Sequence, residues 1–502
     1  METRQYDAII IGFGKGGKTL AGKLGSMGKS VALIEKDPGM YGGTCINVGC
    51  IPSKSLYTSA GRANGAAELS RKAAYFKAAI EEKRRLTAIL RGKNYDKVNN
   101  IKTVDVIDGE AHFTGPKAVE VVTSDGSLQL TGGQIFINTG SESRIPPIEG
   151  ITETKGVYTS NGILDLNEFP GKLLILGGGY IGLEFASMYA SFGSKVTILQ
   201  DSGIFLPRED RDVADKIQEL LEAQGVEILF NRKTVKFEDG QSGPVVTVQN
   251  TGAGNTENAG KDVQNGNATA GTEVGKATAG TEAGTTDPAD RKTEAAEIFE
   301  ADAVLVATGR APNIRKLNLE AAGVEVTPRG AVKVDEYLKT TAPDIYAMGD
   351  VTGGLQHTYV SLDDFRVVIS QLTGGKSSGG KIYTTKDRKN VPYSVFLRTP
   401  YARIGMNETE AGAAGRKVKI AKLPTAAVPK AQVLKAPQGF MKAVIDADTG
   451  KILGVMLLCQ EAYEMINTVK TAMDLDADYT VLRDQIYTHP TMTEAFNDLF
   501  AI

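Results

Sequence analysis

The sequence predicts an α/β protein with two Rossmann-like dinucleotide-binding units and a third, α+β unit at the C-terminal end. Three observations carry that prediction. Two glycine fingerprints, Gly12-Phe13-Gly14-Lys15-Gly16-Gly17 and Gly177-Gly178-Gly179-Tyr180-Ile181-Gly182, each follow an apolar run that reads as a buried parallel strand. Two cysteines, Cys45 and Cys50, stand five positions apart in a chain that has three. A length of 502 residues suits three or four domains rather than one.

Composition narrows the function. The formal net charge of −3 implies no nucleic-acid or acidic-surface partner. No apolar run reaches the roughly 18 residues that a membrane span needs. The opening segment, Met1 to Asp7, is polar and leads straight into a strand, so it does not read as a signal peptide. The cytoplasm is the expected compartment, where a cysteine pair stays reduced unless it cycles.

The first unit begins with the apolar centre Ala8-Ile9-Ile10-Ile11. Gly12, Gly14 and Gly17 then allow a tight turn, close approach of a pyrophosphate and close helix–strand packing. A helix is expected from Lys18 to Met27, with Gly28 as its stop. The next strand is Ser30 to Ile34, and Glu35 follows 18 residues after Gly17, where an acid binds a ribose diol.

Cys45 and Cys50 lie in Gly42-Gly43-Thr44-Cys45-Ile46-Asn47-Val48-Gly49-Cys50-Ile51-Pro52-Ser53-Lys54. A metal site would need more Cys or His nearby, and none other stands between Met1 and Ala111. No metal is expected. Redox chemistry is the better reading, with two unrelated buried thiols as the alternative. A helix opening near Pro52 would lower a thiol pKa through its N-terminal dipole.

Long helices are expected from Ala60 to about Arg91, then strands of a small β-element from Val104 to Phe113 and Ala118 to Leu130. His112, in that element, reads as structural. The second βαβ unit runs from Leu173-Leu174-Ile175-Leu176 to Lys195-Val196-Thr197-Ile198-Leu199 and ends in Gln200-Asp201. Two fingerprints about 165 residues apart argue for two dinucleotides. From Thr251 to Lys292 the chain has no Leu, Ile, Phe or Tyr and repeats Ala-Thr-Ala-Gly-Thr-Glu, so it reads as a passive solvent loop. It interrupts two expected strands, Val245 to Val248 and Ala296 to Phe299. The last unit reads as strands and then two helices.

The cysteine stretch resembles the active-site signature of the class I pyridine nucleotide–disulfide oxidoreductases, which include dihydrolipoamide dehydrogenase, glutathione reductase and mercuric reductase. Other motifs extend the resemblance over nearly the whole chain except the insertion. They are Ile135-Phe136-Ile137-Asn138-Thr139-Gly140, Ala307-Thr308-Gly309-Arg310-Ala311-Pro312-Asn313, Met348-Gly349-Asp350-Val351 and His489-Pro490-Thr491-Met492-Thr493-Glu494. The resemblance implies FAD and a reduced nicotinamide. Cys45 would be the interchange thiol that meets substrate, and Cys50 the thiol that faces the flavin. Lys54 would lie near the flavin and pair with Glu184. Gly43, Thr44, Thr139, Gly140, Gly309, Arg310, Gly349 and Asp350 would line the flavin, with Asp350 on its ribityl chain. Tyr180 and Ile181 would line the second dinucleotide.

His489, held by Glu494, would come from a partner subunit and favour a Cys45 thiolate, which implies a homodimer. The implied divisions are an FAD domain at 1–155 and 314–385, an NAD(P) domain at 156–313 and a dimerisation domain at 386–502. Gln200-Asp201 lacks both the Glu expected for NADH and the arginines expected for NADPH. The acidic Asp201 favours NADH. His357, just after the flavin aspartate, is either structural or directed at the flavin.

The C-terminal Asp498-Leu499-Phe500-Ala501-Ile502 lacks the cysteine pair of mercuric reductase. Six stretches instead resemble the bacterial reactive-chlorine-resistance branch: IGFGKGGKTLA, MYGGTCINVGCIPSK, FLPREDRD, MGDVTGGLQHTYVSLDDFR, RKNVPYSVF and RDQIYTHPTMTEAFNDLF. That resemblance implies reduction of hypothiocyanous acid, with copper(II) also proposed for the branch. A lipoamide-reoxidising subunit of a multienzyme complex is the alternative, and a flavoprotein sensor a third reading.

Overall fold

The computed structural model describes residues 2–63, 68–252 and 296–502. The first fingerprint sits in a seven-stranded sheet. Its strand β1, Glu2–Ile11, lies between β2, Val31–Glu35, and the long strand Gly126–Ile137. All three run parallel, and Ile9, Ile10, Leu33, Ile135 and Phe136 are fully buried, as near-continuous apolar strands between helical layers must be.

Helix α1 spans Lys15–Ser26 and starts three residues before the expected Lys18, because Gly14 is already its N-cap. Gly12 needs φ +107°, and a Cβ there would stand 2.3 Å from the carbonyl oxygen of Asn138. The chain then forms the short helix α2, Thr44–Asn47, and α3, Cys50–Ala63. Thus α3 opens at Cys50 itself, two residues before Pro52. Helix α4, Leu69–Asn99, follows.

The small β-element is continuous with the main sheet. Val104–Asp108 pairs parallel with β2 and forms the edge of the main sheet. Ala118–Thr123 adds antiparallel to the first half of Gly126–Ile137, and Glu110–Gly115 adds antiparallel to Ala118–Thr123. One 12-residue strand serves both arrangements, which a reading by local runs divides. His112 faces Glu120 across this hairpin, Nε2 to carboxylate 3.3 Å, in keeping with a structural role.

The second parallel sheet orders Val226–Leu229, Lys195–Leu199, Lys172–Leu176, Ala303–Val306 and Val157–Thr159. Beside it Pro244–Asn250 pairs antiparallel with Glu297–Glu300, so the expected strands on either side of the insertion are neighbours. The passive-loop reading of 251–292 lies almost wholly outside the described residues.

The C-terminal sheet has five antiparallel strands, with Ile452–Leu458 at its centre. Three helices follow rather than two: Ala462–Asp474, Thr480–Arg483 and Ala495–Leu499. The last two are one turn each, too short for a periodic pattern to register. Among the described residues no helix is long and apolar enough to cross a membrane.

Candidate active site

The cysteine segment packs directly on the first fingerprint. Gly43 has φ +77°, and a Cβ there would lie 2.7 Å from the Cα of Gly14. Thr44 and Cys45 open α2, whereas Cys50 is the first residue of α3. Cys50 therefore sits where the helix dipole favours negative charge. A hydrogen bond from the Cys45 thiol lowers the Cys50 pKa to about 6 against the opposing effect of burial. Thr358, whose hydroxyl is 3.7 Å from its sulfur, and the charge of Lys54 add to the lowering. The same Cys50 contact, with burial, pushes Cys45 up. Within one chain these shifts favour the proton on Cys45 and the negative charge on Cys50.

Lys54 lies one turn along α3. Its Nζ is 2.6 Å from a carboxylate oxygen of Glu184, on the helix Tyr180–Phe192 that follows the second fingerprint. The Phe396 ring lies beneath Nζ at 4.5 Å, and the Phe396 N–H donates to the other Glu184 oxygen at 2.9 Å. One ion pair thus ties the cysteine helix, the second fingerprint helix and the C-terminal unit together.

The residues of the first fingerprint fit FAD. Glu35 turns back on the fingerprint and accepts from the Phe13 N–H at 3.0 Å; burial pushes its carboxyl up, opposed by that bond. A Cβ at Gly140 would meet nothing within 4 Å, which leaves space beside the strand end. Thr139 donates to the Asn313 carbonyl at 2.7 Å, where the chain returns from the second sheet. Asp350 accepts from Ser141 at 2.7 Å, and Arg310 donates to that same hydroxyl at 2.8 Å. Burial lowers the Arg310 pKa, opposed by Asp350. Gly349 donates to Asp364 at 2.7 Å, and Gly309 borders open space.

Two residues in this cradle were not singled out from sequence. Asn138 accepts from Gly17 at 2.8 Å and donates to the Met348 carbonyl at 2.8 Å; Ser361 accepts from Gly16 at 3.1 Å. Asn138 carries a signal in retrospect, a polar residue closing the apolar run Ile135-Phe136-Ile137.

At the second fingerprint, Gly177 repeats the turn of Gly12, a Cβ at Gly182 would lie 2.2 Å from the Gly177 carbonyl oxygen, and Gly179 borders open space. Ile181 is exposed. Gln200 leans over this turn, where its Oε1 would stand 2.1 Å from a Cβ at Gly178. The arrangement fits a second dinucleotide.

Tyr180 is anchored away from the turn. Its hydroxyl donates to the buried Glu209 at 2.5 Å, and Tyr393 and Tyr401 donate to the same carboxylate. Arg403 stands 3.3 Å from it. Asp210 continues the contact, 2.9 Å from Lys442. The stretch Phe205 to Asp212 is thereby explained as a charged seam between the second sheet and the C-terminal unit.

His489 Nδ1 is 2.7 Å from a Glu494 oxygen, and the other oxygen accepts from the Thr491 N–H at 3.0 Å. Burial opposes it, but these bonds hold the Glu494 carboxyl below its usual range. Within the chain neither residue is bonded to Cys45 or Cys50. The His489 side chain is 69% exposed. His357 stacks on Tyr359 with ring centroids 4.9 Å apart, and burial lowers its pKa against the pull of Asp350.

The fold and the family motifs are those of flavin-dependent oxidoreductases that act on disulfides. The chain belongs to the pyridine nucleotide-disulphide oxidoreductases: the family model matches residues 6–364, and the family's dimerisation domain matches 391–500. The family binds FAD and takes electrons from NAD(P)H. The chain is 45% identical over 499 residues to the probable pyridine nucleotide-disulfide oxidoreductase RclA of Escherichia coli, covering 99% of each chain. Mercuric reductase of Staphylococcus aureus is 32% identical, with 97% of this chain and 81% of that protein covered. Dihydrolipoyl dehydrogenase of Geobacillus stearothermophilus is 30% identical, with 98% and 94% covered. The solved Cu(II) complex of the HOCl-induced flavoprotein disulfide reductase RclA from Escherichia coli is similar, with TM-score 0.84, 44% identity and 99% of each chain covered.

Proposed function

We propose that this protein uses NADH to reduce hypothiocyanous acid through Cys45 and Cys50, as a homodimer that defends the cell against oxidants. The observation that carries the reading is the cysteine pair itself, with Cys50 opening α3 at 3.7 Å from the Thr358 hydroxyl and Lys54, one turn along the same helix, paired with Glu184. The full-length similarity to a reductase described as HOCl-induced supports the substrate class.

FAD, held by the first fingerprint with Glu35 and Asp350, would supply a two-electron path from the nicotinamide to the Cys45–Cys50 disulfide. The chain's own residues perform the rest. Cys45 is a thiol in the reduced pair and needs a base to become a nucleophile. His489 of the partner subunit, oriented by Glu494, takes that proton. The Cys45 sulfur attacks the sulfur of hypothiocyanous acid; an S–S bond forms, and the S–O bond breaks. The imidazolium returns its proton to the departing hydroxide, so water leaves. Cys50 then attacks the Cys45 sulfur, thiocyanate departs as an anion, and the disulfide is restored. The two cysteine sulfurs lose two electrons, and the oxidant gains them.

The deciding experiment is NADH and NADPH oxidation across hypothiocyanous acid, lipoamide, oxidised glutathione, mercuric ion and copper(II). Highest kcat/KM with hypothiocyanous acid supports the reading, and highest with lipoamide replaces it. Copper(II) reduction is the second reading, favoured by the Cu(II) complex of the similar reductase. Among the described residues no group of three or more His, Cys, Asp or Glu is placed to hold a metal. On that reading copper is substrate, not cofactor.

A further inference from the structure

The segment Arg388 to Pro392 leads from the unit of the first fingerprint into the C-terminal unit, and it lies along the first two turns of the helix Thr358–Leu372. At one end Arg388 Nε donates to Asp363 at 2.7 Å, and a terminal guanidinium nitrogen donates to Asp364. At the other end the Tyr359 hydroxyl donates to the Pro392 carbonyl at 2.5 Å. Between them Asn390 donates to Asp474 at 3.0 Å, and the Lys389 carbonyl accepts from Lys470 at 3.4 Å. Lys470 and Asp474 both belong to the helix Ala462–Asp474. Five residues thus strap a helix of the first unit to a helix of the C-terminal unit.

The strapped helix meets the site at two points. The hydroxyl of Thr358, its first residue, is 3.7 Å from the Cys50 sulfur. Asp364, in its second turn, accepts from the Gly349 N–H at 2.7 Å, and Gly349 precedes Asp350. Asp364 is 2% exposed, and among the described residues Arg388 is the sole cation paired with it. Burial raises its carboxyl, opposed by Arg388 and by the Gly349 bond. A buried carboxylate that loses such a partner takes up a proton or turns toward water, and either change weakens its hold on Gly349. Packing does not make up the loss. Gly349, Thr352, Asp364 and Arg388 border a cavity of about 630 Å³, so on that side polar bonds rather than close-packed side chains hold the loop.

We propose that Arg388 is a positioning residue of the flavin site: it holds Asp364 against the Gly349 N–H, keeps Asp350 in place, and so makes flavin retention depend on the segment that enters the C-terminal unit. The proposal rests on the reading that Asp350 borders the flavin, and it is independent of the choice of oxidant. Arg388 is bonded to neither cysteine and acts through Asp364.

The test follows release of FAD from the full-length holoenzyme, read as the rise of flavin fluorescence after dilution, under conditions where circular dichroism shows the chain still folded. Arg388→Gln is expected to speed release about tenfold to a hundredfold, the scale of one charged hydrogen bond. Arg388→Lys keeps the charge and can fill one of the two contacts, so it should recover part of the loss. The double variant of Arg388→Gln with Asp364→Asn should release FAD no faster than the faster of the two single variants, because both changes break one chain of contacts. Asp364→Asn keeps its shape and leaves Arg388 paired with Asp363. It should also speed release, and it decides the matter if Arg388→Gln does not fold.

Asp350→Asn separates the proposal from the reading beneath it. Faster release in Asp350→Asn beside parental rates in Arg388→Gln and Asp364→Asn overturns the proposal and leaves the flavin reading intact. Parental release in Asp350→Asn removes the flavin reading of Asp350 and the proposal with it. Losses in Arg388→Gln and Asp364→Asn that multiply in the double variant, with no recovery in Arg388→Lys, assign Arg388 to general stability and overturn its positioning role.

Discussion

Lys54 and Glu184 stand 2.6 Å apart although 130 residues separate them, and they join the helix that begins at Cys50 to the helix that begins at Tyr180. The cysteine helix, the second fingerprint helix and, through Phe396, the C-terminal unit thereby share one fixed contact. Both side chains are less than a third exposed, so neither charge is well solvated without the other. Glu184→Gln should lower stability by about 1–3 kcal/mol, the usual scale for a charged hydrogen bond. It should also slow flavin reduction by NADH. Urea unfolding and rapid-mixing absorbance check the two effects, and loss of neither would make the contact incidental.

The cysteine pair predicts a pH dependence. Cys50 is lowered to about 6, so the first proton of the reduced pair leaves there and the thiolate exists above it. Alkylation of the NADH-reduced protein by iodoacetamide should rise with pH through about 6 and then level off. A midpoint near the ordinary thiol value of 9.0 would show that the pair is not polarised.

Separate roles for the two thiols separate their variants. Cys45→Ser should abolish reduction of hypothiocyanous acid while NADH still reduces the flavin. Cys50→Ser should stop after one turnover with a thiocyanate adduct on Cys45, detectable by mass. Full turnover by Cys45→Ser would move the reductant from the thiol to the flavin.

His489 bonds Glu494 and projects from its own chain, which suits service to a partner. His489→Ala should slow the oxidant step about 10²–10⁴-fold. Co-expressed Cys45→Ser and His489→Ala chains should recover about a quarter of parental activity, because half of the randomly formed dimers then carry one intact site of two. No recovery in verified mixed dimers would place His489 with the cysteines of its own chain.

The buried Glu209 gives a stability prediction. Three tyrosine hydroxyls and Arg403 converge on it, and its side chain is fully buried. Glu209→Ala leaves Arg403 enclosed with less compensation and should cost about 3–5 kcal/mol. The thermal midpoint reads this. A shift of a degree or less would mean that the seam relaxes around the loss.

The parts of this protein that depend on neighbouring residues were legible in the chain. Gly12, Gly14 and Gly17 after an apolar strand specify a turn and a helix because the φ angles and close approaches involved are local. The strands around the insertion were found for the same reason. His489 and Glu494 met as expected because five positions and a turn suffice.

Tertiary structure decided what local pattern does not encode. The strand Gly126–Ile137 is shared between a parallel sheet and a hairpin, which only its partners reveal. The lowering of Cys50 depends first on the hydrogen bond from Cys45 and then on Thr358, 308 residues away, and on Lys54. Phe205 to Asp212 carried a resemblance in sequence, but no role for its individual carboxylates. Its carboxylates acquire one through Tyr393, Tyr401, Arg403 and Lys442, all more than 180 residues distant. Backbone preferences act over a few residues and leave their mark in the sequence. The partners of a buried charge are chosen by the packing of whole layers, and one chain read alone does not say which side chains the layers bring together.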